Sequence, residues 1–280
     1  LPRPETLADA ARAVLGTADA AAKATASRRF AAAWRAGELA QASIAEDRTR
    51  PPRRPARPAR PELRQPRDMP RRRLGKGPAG RIALLHALAH IELNAIDLAW
   101  DILARFPEEA MPRAFSDDWV KVADEEAKHF DLLAARLADL GAAYGDLPAH
   151  DGLWQAAQDT ADDLLARLAV VPLVLEARGL DVTPAMIERL EAAGDRASAA
   201  VLQTIYRDEI GHVAIGKRWF DRLAARRGCD PETAWQAAVR QHFKGALKPP
   251  FNAAARDAAG FPESFYGPLA AAAPGAETAS

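Results

Sequence analysis

The sequence predicts an all-α protein built around a bundle of four long helices. Its composition leans on Ala, Leu, Arg, Asp and Glu and is poor in aromatic residues, 6% of the chain, which favours helix over sheet. Apolar residues recur at helical spacing in four stretches, roughly 80–105, 115–140, 153–178 and 195–226. Each stretch is bounded by capping or breaking residues. A length of 280 residues leaves room for one large core with additions. The 38 basic and 38 acidic residues cancel, so no overall field draws the chain to nucleic acid, an anionic membrane or an acidic partner.

Residues 1–47 read as an N-terminal helical appendage. Helix is expected from about residue 5 to 38, broken at Gly16 and Thr17 and stopped at Gly37, with Leu7, Val14, Phe30 and Trp34 as its docking residues. Residues 48–79 read as an extended arm. Between Arg48 and Arg73 stand eleven Arg and seven Pro against Glu62 and Asp68 alone, and repeated Pro forbids regular helix. The net +9 of this stretch leaves −9 on the rest of the chain, so the arm is expected to wrap over the acidic bundle. RNA is the alternative partner for 48–73, weakened by the lack of aromatic residues on which bases could stack.

Residues 80–228 read as the bundle. Pro107 and Pro112 follow the first helix, Ser116 caps the second, and Gly141 and Gly145 come after it. Gly152 precedes the third helix and Gly179 is expected to end it; Thr183 and Pro184 then start a short extra helix that Gly194 stops. Asp195 caps the fourth. Pro172 removes a hydrogen bond inside the third helix and predicts a kink one turn before Glu176. Residues 229–280 read as a helix from Pro231 to Phe243 behind the cap Asp230. A wrapping tail through Lys248, Pro249 and Pro250 then frays after about Pro268.

Every long helix carries a carboxylate on an otherwise apolar face. Glu92 lies among Leu85, Leu88, Ala89 and Ile96; Glu126 and His129 lie among Trp119, Val122, Phe130 and Leu133. Glu176 lies among Leu165, Ala169, Leu173 and Leu180; Glu209 and His212 lie among Leu202, Ile205 and Leu223. Burying four ionised carboxylates together is prohibitive unless they protonate or meet cations. Two divalent ions would supply the balancing charge, and two neutral imidazoles would complete the donor set. Glu92 and Glu126 are 34 residues apart and Glu176 and Glu209 are 33 apart, so the order Glu, then Glu-x-x-His, occurs twice at nearly one spacing. Buried salt bridges would need basic residues on these faces, which carry none. The predicted ligands are therefore Glu92, Glu126, His129, Glu176, Glu209 and His212. Oxygen and imidazole donors suit two Fe ions, with Mn/Fe or Mn/Mn as alternatives.

Glu125 and Asp208 each stand one helical turn before a histidine of the set, where a carboxylate can receive the second imidazole N–H. For Glu125 a solvated pair with Lys121 or Lys128 is an equal alternative. Tyr206 is a candidate redox or pocket neighbour, core packing being its other reading. His86 and His90 share a polar stripe with Asn94, Asp97 and Asp101 that faces away from Glu92, and are expected to be surface or inter-helix hydrogen-bonding groups; His150 and His242 receive no role.

A Glu from each of two helices and a Glu-x-x-His from each of the other two resembles the ferritin-like di-iron carboxylate proteins over residues 80–226. More closely, several segments resemble a bacterial family of ferritin-like-domain proteins of unknown function, over nearly the whole chain. These are the run from His90 to Asp97, the run from Leu175 to Gly179, the Arg/Pro arm, and Lys248-Pro249-Pro250-Phe251-Asn252. Glu176-Ala177-Arg178 is also similar to a segment of bacterial tRNA hydroxylases, which are di-iron enzymes, and the chain departs from them directly after Arg178.

The expected activity is an O2-dependent oxidase or monooxygenase that draws on an external electron donor, with no residue outside the ligand set assigned to catalysis. Iron storage or ferroxidase action, peroxidase or manganese-catalase action, and a binding protein with a structural metal are the alternatives. Cys229 is the single cysteine, which excludes internal disulfides and thiolate metal sites and fits the reducing cytoplasm. No membrane span or signal segment is read in the sequence. The oligomeric state stays open, a dimer included.

Overall fold

The computed structural model describes residues 4–41, 50–64, 68–69 and 77–270. Predicted features at 1–3, 42–49, 65–67, 70–76 and 271–280 lie outside the described residues; they include Arg48, Arg67, Arg71, Arg72 and Arg73 of the arm and the end of the tail. The described chain is all-α apart from one short parallel pair, β1 (Leu63–Arg64) on β2 (Ala149–His150).

Helices α1 (Leu7–Leu15) and α2 (Ala20–Arg35) begin where the sequence offers caps. Thr6 and Asp9 form a reciprocal capping box, and Asp19 accepts from the Ala22 amide at 2.8 Å. Gly37 follows α2 with φ 74°, a left-handed conformation that glycine adopts freely. Leu7, Val14, Phe30 and Trp34 are all buried, and both helices share one hydrophobic core with the rest of the molecule: α1 packs on α3 and α2 on α4.

The long helices come in two antiparallel pairs. The first is α3 (Pro78–Arg105) with α4 (Arg113–Asp139). After a crossover through β2 and α5 (Gly152–Asp159), the second consists of a segmented helix and α8 (Arg196–Arg226). The segmented helix comprises α6 (Leu164–Val170), a π turn (Val171–Glu176) and α7 (Ala177–Ala192). α4 packs against α8 and closes the assembly.

Two expectations for the third helix are corrected. It starts at Leu164, not near 153, because Arg167 is buried and takes its hydrogen-bond partners from the break before it: Thr160 Oγ1 at 2.9 Å and the Ala157 carbonyl at 2.6 Å, with Asp101 at 2.6 Å. Nor does Gly179 end it. The helix runs through Gly179 and Pro184 to Ala192, so no separate helix starts at Thr183.

Of the two readings for the polar stripe of α3, the inter-helix one holds: the stripe is interior. Asp97 is fully buried and meets Lys23 at 2.5 Å and Arg57 at 2.7 Å; Asp101 meets Arg105 and Arg167, both at 2.6 Å. Burial pulls the Lys23 ammonium below its usual range and lifts the Asp97 carboxyl, and their mutual attraction works against both shifts. His90 hydrogen-bonds Tyr144 at 2.8 Å and the His150 carbonyl at 3.1 Å; burial first, then the Arg57 charge, lowers its pKa to about 3, so it is neutral. Arg57 belongs to the described part of the arm, which lies on the protein. Ala56 N donates to the Leu15 carbonyl at 2.7 Å, the Pro52 carbonyl accepts from Arg105 and the Arg53 carbonyl from Trp154. α3 is long and apolar enough to cross a membrane, yet 72% of its most apolar window is buried inside the protein, as expected of a core helix.

Helix α9 (Pro231–His242) docks Trp235 on the Ala169 carbonyl at 3.1 Å. The chain then wraps through α10 (Ala253–Ala258) and α11 (Glu263–Tyr266), where Arg256 pairs with Asp181 at 2.7 Å and lies 4.4 Å from the Tyr266 ring centre.

Candidate metal centre

The elements above bring all six predicted ligands to one region. Glu92 projects from α3, Glu126 and His129 from α4, Glu209 and His212 from α8, and Glu176 ends the π turn. Donor atoms of Glu92, Glu126, His129 and Glu209 lie within 4.8 Å of one another, a buried group able to hold a metal ion. His129 Nδ1 is 3.4 Å from Glu92 Oε2 and 3.5 Å from Glu126 Oε2. His212 Nδ1 is 3.1 Å from Glu126 Oε1 and 3.4 Å from Glu209 Oε1. The two oxygens of Glu126 thus face different imidazoles. Glu176 is half-buried on the wall of an adjoining cavity, within electrostatic reach of Glu209 and Glu126.

The opposite edges of both rings are tied down. His129 Nε2 lies 2.9 Å from Asp208, and His212 Nε2 lies 3.0 Å from Glu125. Each helix therefore supplies the acid that orients the other helix's histidine. Lys128 and Lys121 pair with these acids at 2.5 and 2.6 Å, so Glu125 meets both of the partners considered for it, Lys121 and a ligand histidine. An acid at Nε2 fixes the tautomer and leaves Nδ1 to face inward. The consequence is visible in the interior: Glu126 Oε2, His129 Nδ1, Glu176 Oε2 and His212 Nδ1 are buried without a hydrogen-bond partner. Unpartnered buried acceptors are costly, and four of them around one centre match the donor set of a bound cation.

Without a cation the cluster holds protons. Burial opposes charging of His129, but the hydrogen bond to Asp208 and the nearby Glu126 and Glu92 carboxylates outweigh it and push its pKa up to about 11. His212 is raised well above 6.5: burial works against charging, and Glu209, Glu125 and Glu126 override it. Burial raises Glu92, reinforced by the Glu126 charge, and raises Glu176, reinforced by Glu209. The hydrogen bond from His129 holds Asp208 well below the usual carboxylate range despite its burial.

The π turn is what presents Glu176. Pro172 cannot donate to a regular helix ladder, and the wider turn absorbs the defect that the sequence read as a kink. Gly216 of α8 packs against it: a Cβ there would lie 2.4 Å from Pro172 Cβ and 2.5 Å from its Cγ. Alanine normally stabilises a helix interior by about 1 kcal/mol over glycine. Gly216→Ala is expected to reverse that sign, costing about 1–3 kcal/mol through overpacking, as measured by denaturant unfolding. A stabilised variant would contradict the packing.

Tyr206 is corrected as a pocket neighbour. Its hydroxyl accepts from Asn252 Nδ2 at 2.8 Å, which engages it with the C-terminal wrap, and it does not line the cavity beside the carboxylates. That cavity, about 280 Å3, is the feature sequence reasoning missed. It lies between α3 and the π turn with α7, walled by Leu88, Ile91, Leu98, Leu175 and Met186, and it reaches Glu92, Glu126, Glu176 and Glu209. A larger depression of about 650 Å3 along α1 and α2 has Arg29 and Glu38 as its charged residues and gathers no ligand group.

Residues 16–267 match the family described as "Protein of unknown function (DUF455)". An "Uncharacterized protein" of Haemophilus influenzae is 44% identical over 205 residues, covering 70% of this chain and 69% of that protein. No solved structure matches the chain. The family match spans most of the chain, both helix pairs and all six clustered residues included, and the chain belongs to the DUF455 family.

Proposed function

We propose that the chain is a ferritin-like di-metal carboxylate protein, holding two iron ions and acting as an O2-dependent oxidase or monooxygenase in the cytoplasm. The observation that carries the reading is the set of four unpartnered buried atoms on Glu126, His129, Glu176 and His212, two of them on imidazoles whose other nitrogens are already held. Glu92 and His129 would serve one ion, Glu176 and His212 the other, and Glu126 with Glu209 both. Bound reduced iron supplies the capacity to activate O2. The chain's own contribution is positional. Asp208 and Glu125 hold the imidazoles as inward-facing donors, and the apolar cavity walls would let an apolar ligand displace water from the carboxylates they adjoin. Oxidase chemistry is favoured over iron storage because that cavity offers an organic substrate a place against the centre. Electrons would come from an external donor. Cys229, free and exposed, fits a reducing compartment.

The test is metal analysis of the native protein beside Glu126→Ala and His212→Ala, followed by O2 uptake of the Fe(II)-loaded forms. About two ions per chain are expected in the native protein, and fewer than one in Glu126→Ala. O2 uptake should disappear with the metal. Unchanged stoichiometry in both variants would sink the site.

A further inference from the structure

We propose that the 280 Å3 cavity is a substrate chamber selective for a compact apolar compound bearing one anionic group, which seats at Arg178; this rests on the di-metal reading above. The volume corresponds to about nine waters at roughly 30 Å3 each, or a compound on the order of ten non-hydrogen atoms. Apart from Arg178, Thr183 and the carboxylates, the walls are apolar side chains and Gly179, so the body of the ligand is apolar. Ile91 at the wall is one of two exposed large hydrophobic residues among those described, which marks an apolar way in.

Arg178 is the one cation lining this space among the described residues. Its Nη1 donates to the Lys248 carbonyl at 2.7 Å and the Pro250 carbonyl at 3.2 Å and lies 3.4 Å from Asp181 Oδ2, which ties down that end of a side chain that lines the chamber. An anionic group in the chamber would share this guanidinium with Asp181 and gain a positioned charge partner. A cationic ligand would instead compete with the metal ions for the four glutamates.

Gly179 is the independent mark of a chamber. It sits within α7, its φ is not positive, and a Cβ would meet nothing within 4 Å, so neither backbone conformation nor packing calls for glycine. A glycine in a helix interior costs about 1 kcal/mol against alanine, and the space it leaves here belongs to the cavity.

The test uses the full-length, metal-loaded protein and three probes of one shape: octanoate, octanol and octylamine, titrated calorimetrically. Octanoate is expected to bind at least tenfold more tightly than octanol, and octylamine most weakly. Arg178→Gln should erase the advantage of octanoate while octanol still binds. Gly179→Leu, or Ala95→Leu on the facing helix, should weaken both at least tenfold with metal content unchanged. An octanoate advantage that survives Arg178→Gln overturns the assignment, as does undiminished octanol binding in both filled variants. If the protein takes up no metal yet discriminates the probes as described, the di-metal reading fails and the chamber stands.

Discussion

Stripped of metal, the protein is expected to lose stability steadily as pH rises from about 6.5 toward about 11, the span between the ordinary histidine value and that of His129 in the fold. The sign follows from where protons bind. His129, His212, Glu92 and Glu176 are all raised, so each binds its proton more tightly folded than unfolded. Their contribution is complete below the unfolded values, 6.5 for histidine and 4.5 for glutamate, and is lost as pH climbs through the folded ones. At about 1.4 kcal/mol per unit, His129 alone makes the loss on the order of several kcal/mol. Metal ions replace these protons, so the loaded protein has none there to lose. Thermal melts near pH 6, 7.5 and 9, with chelator or with metal, should therefore diverge as pH rises. Loading near pH 7 should also release protons, that of His129 among them, read by calorimetry in two buffers of different ionisation enthalpy. Melts that stay parallel across the range would show that the cluster holds no such protons. Asp208 and Glu125 act at the acid end. Both are depressed, so their stabilisation in the metal-free protein is present above the ordinary carboxylate range and is lost as pH falls.

The cluster was legible in the sequence because helical geometry is local. Residues three apart share a face, so Glu126 with His129 and Glu209 with His212 had to be neighbours, and the repeated 34 and 33 residue spacing set the two pairs in register. Glu125 and Asp208 were legible only to the helix. That each reaches across to the other helix's histidine depends on how α4 meets α8. For the same reason the sequence leaves the stripe from His86 to Asp101 between surface and inter-helix hydrogen bonding, of which the second holds. Its partners Lys23, Arg57, Tyr144 and Arg167 come from four distant segments, and local periodicity holds no trace of them. The third helix failed on propensity. Gly179 reads as a stop by composition, yet its neighbours keep the helix intact while the glycine faces a cavity. Arg167 breaks the chain earlier, at a point where no glycine or proline gives warning.

Removing Glu126 is expected to cost both ions, whereas removing Glu92 costs one. The asymmetry lies in the distances. Glu126 turns Oε2 toward His129, at 3.5 Å, and Oε1 toward His212, at 3.1 Å, while Glu92 approaches His129 alone, at 3.4 Å. Glu126→Gln should therefore fall below one ion per chain, and Glu92→Gln should keep about one. The supporting acids divide in the same way. Asp208→Asn loosens only the His129 half and Glu125→Gln only the His212 half, each by about 10–100-fold in affinity, the usual effect of losing the carboxylate behind a ligand histidine. Competition with a chelator of known affinity should accordingly show two-phase binding in either single variant, with one phase at its native position. In the double variant both phases should move. Equal losses from Glu92→Gln and Glu126→Gln would mean that Glu126 does not bridge, and the centre would then be two separate sites sharing one cavity wall.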